Sequence, residues 1–310
     1  MLVDEELARF SADKDTLLTV GVFDGVHLGH KHLISQLVGK AEQENSLSGV
    51  VTFRQHPQEV LHPDIKLPFL TDLAQREKLL RNEGVDIVVP LTFTAETSRL
   101  SARDFIGLLK KHLRMRGMVV GPDFALGRKR EGNVDALSKL GRELGFSVTV
   151  VPPVVIDGEI VSSTAIRQAL ADGDVHRVRR LAGRGFSLRG HVVAGAGRGV
   201  ALGFPTANLE PNPEQALPAD GVYASWAGIN GKGFPSMTNI GTKPTFGDKR
   251  RAVEVYIVDY QGDLYGREIQ VEFVERLRGE KRFDSVEDLK KQMAEDVKRG
   301  VAILSAKIGR

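Results

Sequence analysis

Two histidines close together are the first feature of this 310-residue chain that could do chemistry. His27 and His30 end the run G-V-F-D-G-V-H-L-G-H, Gly21 to His30, and three-residue spacing puts both rings on one side of a helix opening there. The apolar stretch before them, Leu17 to Phe23, reads as a strand. The pair therefore flanks a helix N-terminus, whose unpaired N–H groups and positive dipole end attract anions. Imidazoles so placed can donate to the oxygens of a phosphate undergoing substitution, and one such donor contributes about 3–4 kcal/mol in the transition state. Gly21, Gly25 and Gly29 allow tight turns and close approach of a ligand. A second anion-gripping element is V-S-S-T-A-I-R, Val161 to Arg167. Ser162, Ser163 or Thr164 can simply cap the helix that follows; the same hydroxyls, with Arg167, can also grip a triphosphate.

The second half carries a different kind of signal. In H-V-V-A-G-A-G-R-G-V-A-L-G-F-P-T-A-N-L, His191 to Leu209, the glycines 195, 197, 199 and 203 clear a path where backbone N–H groups can cradle phosphates. No Gly-Lys-Ser/Thr closes the run and no strand–helix pair frames it, so it is neither a P-loop nor a dinucleotide fingerprint. Just beyond Pro205, Thr206 and Asn208 are two apart on an extended segment, with both side-chain oxygens on one side. That pair suits a Mg²⁺ ion that keeps most of its waters and bridges ATP phosphates. Glu254, in V-E-V-Y, is by itself only the polar position of an alternating strand.

The run Gly21–His30 resembles the signature turn of the nucleotidyltransferase superfamily, in the form carried by its FAD synthetase branch. T-F-R-Q-H-P, Thr52 to Pro57, resembles that branch's flavin-side segment, with Gln55 where Pro is usual. V-V-G-P-D-F-A-L-G-R, Val119 to Arg128, resembles the segment that sets Asp123 and Phe124 beside nucleotide or flavin, with Ala125 and Leu126 in place of an often basic and aromatic pair. G-F-P-T-A-N resembles the riboflavin kinase signature, and L-P-A-D-G-V-Y-A, N-I-G-T-K-P-T-F, V-E-V-Y-I-V-D-Y and L-Y-G follow in that family's order. Over essentially its whole length the chain is similar to bacterial bifunctional riboflavin kinase/FMN adenylyltransferases.

The resemblance implies ATP-dependent phosphorylation of riboflavin to FMN, then adenylylation of FMN to FAD with release of pyrophosphate, with Mg²⁺ serving both steps. It implies Glu254 as the base of the kinase, Thr206 and Asn208 at the metal, and His27 and His30 at the transferring phosphoryl. It puts Ser163, Thr164 and Arg167 on the departing pyrophosphate, and Gly21, Phe23, Asp24, Gly29 and Asp123 around the first nucleotide. Gly195, Gly199, Gly203 and Pro205 fall beside the second, and Asn239, Thr245 and Phe246 by the isoalloxazine ring or a neighbouring loop. Tyr256 stands where many relatives carry His. Three other readings share part of this pattern: both folds with one activity lost, a cytidylyltransferase, and a barrel that binds nucleic acid. The second leaves the kinase signature unexplained, and the third lacks an aromatic-plus-basic strand pattern.

These residues need elements to hold them. Up to about Leu181 short apolar runs alternate with amphipathic ones: helices at His30–Glu44, Thr71–Glu83, Ser101–Leu113 and Val134–Leu144, strands at Val50–Phe53, Val85–Pro90, Met118–Gly121 and Phe146–Val151. That alternation predicts an α/β, Rossmann-like domain with a parallel sheet and ligands beyond the carboxyl ends of its strands. From Phe186 to Val274 short β-rich runs with no convincing helix predict a small barrel, followed by one helix from Val286 to Ile308. The Gly-rich stretch Leu181–Gly185 divides the domains, 1–184 and 185–310.

Composition agrees: 41% hydrophobic and 27% charged residues exclude disorder as the main state. A net charge of +3 is too small to argue for nucleic acid. The absence of cysteine rules out disulfides, thiolate metal sites and cysteine nucleophiles. The opening M-L-V-D-E-E-L-A-R-F is acidic where a signal peptide is basic, and the most apolar stretch, Val150–Ile156, is too short to span a bilayer. The expectation is a cytoplasmic enzyme with small-molecule substrates and no obligate partner protein, membrane or nucleic acid.

Overall fold

A computed structural model describes residues 1–195, 197–242 and 251–308 of the chain. They form two compact units, Met1–Ser163 and Thr164–Arg310.

The first unit contains β1 (Thr16–Val20), β2 (Leu47–Phe53), β3 (Ile87–Leu91), β4 (Met115–Val120), the short hairpin β5 (Ala125–Leu126) with β6 (Gly132–Asn133), β7 (Ser147–Val150), and a second hairpin, β8 (Val155–Ile156) with β9 (Glu159–Ile160). β1, β2, β3, β4 and β7 make one parallel sheet in the order β3-β2-β1-β4-β7. Its helices are α1 (Leu2–Ala8), α2 (Leu28–Gln43), α3 (Pro57–Leu61), α4 (Leu73–Asn82), α5 (Ala102–Leu113) and α6 (Val134–Leu144).

The strands are apolar at consecutive positions because both faces are covered. Leu18, Val51, Val89 and Met118 pack under α1, α5 and α6, while Leu17, Val50, Val88 and Val119 pack under α2 and α4. Ser101 caps α5, accepting from the Asp104 N–H at 3.1 Å. The strand order reverses beside β1, so a crevice opens at the carboxyl ends of β1 and β4, where an open α/β sheet takes its ligands. The run Gly21–His30 leaves the sheet there.

The second unit begins with α7 (Ser163–Asp172), whose first residue still belongs to the first unit, and α8 (Val175–Ala182). Composition changes at Leu181–Gly185, yet these two helices group with the strands that follow. The Ala219 N–H donates to Leu170 O at 2.8 Å, and His176 and Arg179 face Glu275 and Glu272 at 3.4 and 3.8 Å. A closed barrel then forms from β10 (Phe186–Val193), β11 (Thr206–Pro211), β12 (Gly221–Ile229), β13 (Lys232–Thr242), β14 (Arg251–Ile257) and β15 (Glu268–Arg278), in the order β10-β11-β14-β13-β12-β15.

One helix does interrupt this β-rich half, contrary to the sequence expectation: α9 (Arg198–Leu202), only five residues long. Gly197 and Gly203, with φ of +67° and +84°, bracket it in left-handed conformations that end a helix at little cost. The barrel interior holds Leu188, Tyr223, Val255, Val271 and Phe273. The last helix, α10 (Val286–Ile308), lies across the outer face on Val222, Ala224, Met237, Val274 and Leu277. Gly300 makes that approach possible, since a Cβ there would lie 2.2 Å from the Met237 sulfur.

Candidate active sites

In the first unit His27 is the N-cap of α2 and is nearly buried. Its Nδ1 accepts the His30 N–H at 3.3 Å, which leaves Nε2 to carry the proton of the neutral ring. The two imidazoles stack, centroids 3.6 Å apart and planes within 17°. Gly29 permits this: an added Cβ would sit 3.2 Å from the His27 ring and from Val161 O. Phe23 closes the other side of His30, ring centroids 5.0 Å apart. One nearly buried and one half-buried imidazole thus stand at a helix N-terminus on the carboxyl edge of the sheet, as their spacing predicts.

Phe23 and Asp24, expected beside the nucleotide, are both buried. Phe23 is part of the core with Leu17, Val26 and Ile34, and what it touches is His30. The Asp24 carboxylate, 2% exposed, accepts from the Leu70 and Thr71 N–H groups at 2.9 and 3.1 Å. Ser163 joins the second motif to the first: its hydroxyl donates to Asp24 O at 2.9 Å. Thr164 is exposed and Arg167 half-buried in the opening turns of α7. Asp123 is exposed in the turn after β4, with its carbonyl accepting from Arg130 at 3.0 Å. Phe124 packs against the core instead of standing clear. Ala125 and Leu126, the departures from the family pattern, build the β5–β6 hairpin, and Leu126 is buried. Gln55, the other departure, donates to Phe93 O at 2.6 Å.

In the second unit the site is made by strand register. β14 alternates, with Val253, Val255 and Ile257 buried and Glu254 and Tyr256 on the outer face. Glu254 lies directly opposite Asn208 on β11 and Asn239 on β13; Tyr256 lies opposite Thr206 and Met237. Paired residues in an antiparallel sheet project to the same side, so these six form two adjacent rows. The glycine run folds over them. A Cβ on Gly195 would meet the Asn208 amide at 1.9 Å, and one on Gly199 would meet Phe204 O at 2.3 Å and Thr206 Oγ1 at 3.2 Å. Gly203 serves through its positive φ, and Pro205 leads straight into β11. Thr245 and Phe246 lie outside the described residues.

These rows open on a cavity of about 620 Å³ lined by Gly199, Thr206, Asn239, Glu254 and Tyr256 together with groups the sequence reading did not single out. Met293 and Val297 of α10 and Phe283 on the preceding loop add apolar surface. The Arg278 guanidinium and Lys281 ammonium lie 5.7 and 5.5 Å from the Phe283 ring, and Arg278 pairs with the buried Asp296 at 2.9 Å. Spacing of Leu289, Met293 and Val297 along one helical face was the available signal, but nothing local says which surface that face covers. Edge-on contact with Phe204, at 5.4 Å, fixes Tyr256. A cavity with aromatic and thioether walls and a few convergent polar groups suits a flat aromatic ligand.

Among the described residues no cluster of three or more His, Asp or Glu could hold a metal. The donors facing the glycine run are the Thr206 hydroxyl and Asn208 amide, with Glu254 beside them. This hard-oxygen set fits Mg²⁺ completed by waters and substrate phosphates. Among the described residues no helix is long and apolar enough to cross a membrane.

Comparison with known proteins assigns a family to each part of the chain. A family model described as FAD synthetase matches residues 9–165, and one described as riboflavin kinase matches residues 182–304. The chain is 41% identical, over 90% of each chain, to the bifunctional riboflavin kinase/FMN adenylyltransferase of Escherichia coli (strain K12). To that of Bacillus subtilis (strain 168) it is 32% identical over 98% of this chain and 95% of the other. A crystal structure titled as a macrolide-efflux protein from Streptococcus pneumoniae matches with a TM-score of 0.87 and 31% identity, over 96% of each chain.

Proposed function

The chain belongs to the bifunctional riboflavin kinase/FMN adenylyltransferase family, and from that premise we propose which of its residues carry each reaction. It phosphorylates riboflavin to FMN with ATP and adenylylates FMN to FAD with release of pyrophosphate. The functional boundary is placed at 184/185, with adenylyl transfer in the first part and phosphorylation in the second. ATP as co-substrate of both steps supports the cytoplasmic location.

For phosphorylation, Glu254 accepts the proton of riboflavin's 5′-hydroxyl as its oxygen bonds to the γ-phosphorus and the bond to ADP breaks. The observation that carries this reading is the register: Glu254 faces the cavity between Asn208 and Asn239, in the row beside Thr206. Mg²⁺, when bound, screens the polyphosphate charge, and Thr206 and Asn208 are the side chains to hold it. Asn239 and the apolar wall take the ring system; the glycine run offers backbone donors to the nucleotide.

For adenylyl transfer, an FMN phosphate oxygen attacks the α-phosphorus of a second ATP, and pyrophosphate leaves. His27, through Nε2, and His30 donate to the oxygens of the transferring phosphoryl. Thr164 and Arg167 hold the departing pyrophosphate, while the Ser163 hydroxyl secures the turn at Asp24 O. Gly21 and Gly29 keep the backbone open beside the α2 N-terminus.

The test assays the two steps separately. Glu254→Ala lowers FMN formation by about 10²–10⁴-fold and leaves FMN-to-FAD conversion intact. His30→Ala does the reverse, by about 10²–10³-fold. Equal damage to both steps in a folded protein would refute the division of labour.

A further inference from the structure

We propose that Asp24 and Arg76 are positioning residues for adenylyl transfer, two halves of a buried clamp that holds the turn bearing His27 and His30 in a conformation it would not keep alone. The proposal rests on those imidazoles serving that reaction.

The turn is strained: Phe23, Gly25 and Val26 have φ of 52°, 80° and 35°. A left-handed β-branched residue such as Val26 persists only where its surroundings over-determine it. Besides the Ser163 and Thr52 hydroxyls, which donate to Asp24 O and Val22 O, the surroundings here come from the segment Phe69 to Arg76. Below the turn, the Asp24 carboxylate receives the Leu70 and Thr71 N–H groups, and the Gly25 N–H donates to Thr71 Oγ1 at 3.1 Å. Above it, Arg76 Nη1 donates to Val22 O at 3.0 Å and Phe53 O at 2.7 Å. The Arg76 guanidinium also lies 4.8 Å over the Phe69 ring.

Val22 and Phe53 stand at the carboxyl ends of neighbouring strands, so Arg76 sets where the turn departs from the sheet. Arg76 is fully buried and Asp24 nearly so. They act through the backbone that carries the histidines, not by touching substrate.

Arg76→Met, Arg76→Lys and Asp24→Asn test this in the full-length protein, with both activities, denaturant midpoints and histidine ring NMR measured on each. A displacement of the imidazoles by roughly 1 Å costs about 10²-fold. Arg76→Met and Asp24→Asn are therefore expected to lower kcat for FMN-to-FAD conversion by that order while KM for ATP and FMN moves less than about threefold. Riboflavin phosphorylation stays within about twofold, because it belongs to the other site. The His27 and His30 ring resonances shift as the stack loosens, and Arg76→Lys, whose ammonium still reaches one carbonyl, recovers part of the rate.

Lower denaturant midpoints with unchanged kcat and unchanged histidine resonances would overturn the clamp and leave a purely structural pair. If Arg76→Met fails to fold, Arg76→Lys and Asp24→Asn decide between these outcomes. Should His30→Ala leave FAD formation untouched, the underlying reading fails instead, and the resonance shifts still report whether the clamp exists.

Discussion

In the turn after β1 the backbone is unusual and the side chains are few; on the outer face of the barrel the backbone is ordinary and the side chains converge. The first site depends on three left-handed residues in a row of four, fastened by buried polar contacts to Leu70, Thr71 and Arg76. The second depends on the pairing of β11, β14 and β13, which aligns Asn208, Glu254 and Asn239, and on α10 to roof the cavity. A site made of backbone geometry is sensitive to a single methyl group where no side chain fits. A site made of register tolerates neighbouring changes as long as the strands stay paired.

Away from the reacting groups the largest expected effect is that of Gly25→Ala, which tests that contrast directly. The new Cβ would meet Leu70 Cδ1 at 2.8 Å from a residue with φ +80°, a strain of about 1–3 kcal/mol. FMN-to-FAD conversion is expected to fall about 10²-fold while riboflavin phosphorylation is unchanged. An unimpaired transferase would show that the turn's backbone is not what places the imidazoles.

Asn208→Ala acts on the other site. It leaves the strands paired but removes one oxygen from the row, so half-maximal FMN formation should need about tenfold more Mg²⁺. The same titration of FMN-to-FAD conversion serves as the control; coincident curves for mutant and parent would remove Asn208 from the metal.

Gly300→Ala is milder. Its Cβ collides with the far end of Met237, a flexible side chain that can swing aside at about 1 kcal/mol. Because Met237 lines the cavity, KM for riboflavin should rise a few-fold with kcat nearly constant, and an unchanged KM would show that α10 does not shape the flavin subsite.

The smallest effect lies far from both sites. The Arg116 guanidinium, hydrogen-bonded to Asp15 at 2.9 Å, with help from Arg114, holds its carboxyl below the ordinary value of 3.8. A folded-state value below the unfolded one means stability that is present above pH 3.8 and lost as pH falls through the folded value. Asp15→Asn should therefore weaken the protein slightly at neutral pH, with neither activity altered and the difference closing as the solution is acidified. Chemical denaturation across that range measures it.

Some elements were legible in full. Val134–Leu144 and Val286–Ile308 fall where periodicity put them, because caps and amphipathic spacing are local properties. Other elements were not: α9 is a single turn inside a glycine run, and α1 and α3 are too short to show a period. Arg76 sits in T-D-L-A-Q-R-E-K-L-L, where a charged residue reads as a solvated helical face, yet it is fully buried. Its burial follows from carbonyls at Val22 and Phe53, far away in sequence.

From the residues alone came the imidazole turn, the glycine run with Thr206 and Asn208, and the division into a parallel α/β part and a barrel. Each rests on interactions within a few residues or on a repeated pattern. Only the tertiary structure could decide that Asp24 and Phe23 face inward, that Glu254 lies between two asparagines, and that α10 with Phe283 completes a flavin-sized cavity. Those outcomes come from pairings between distant segments, whose energies depend on register and burial and leave no mark on any short stretch of chain.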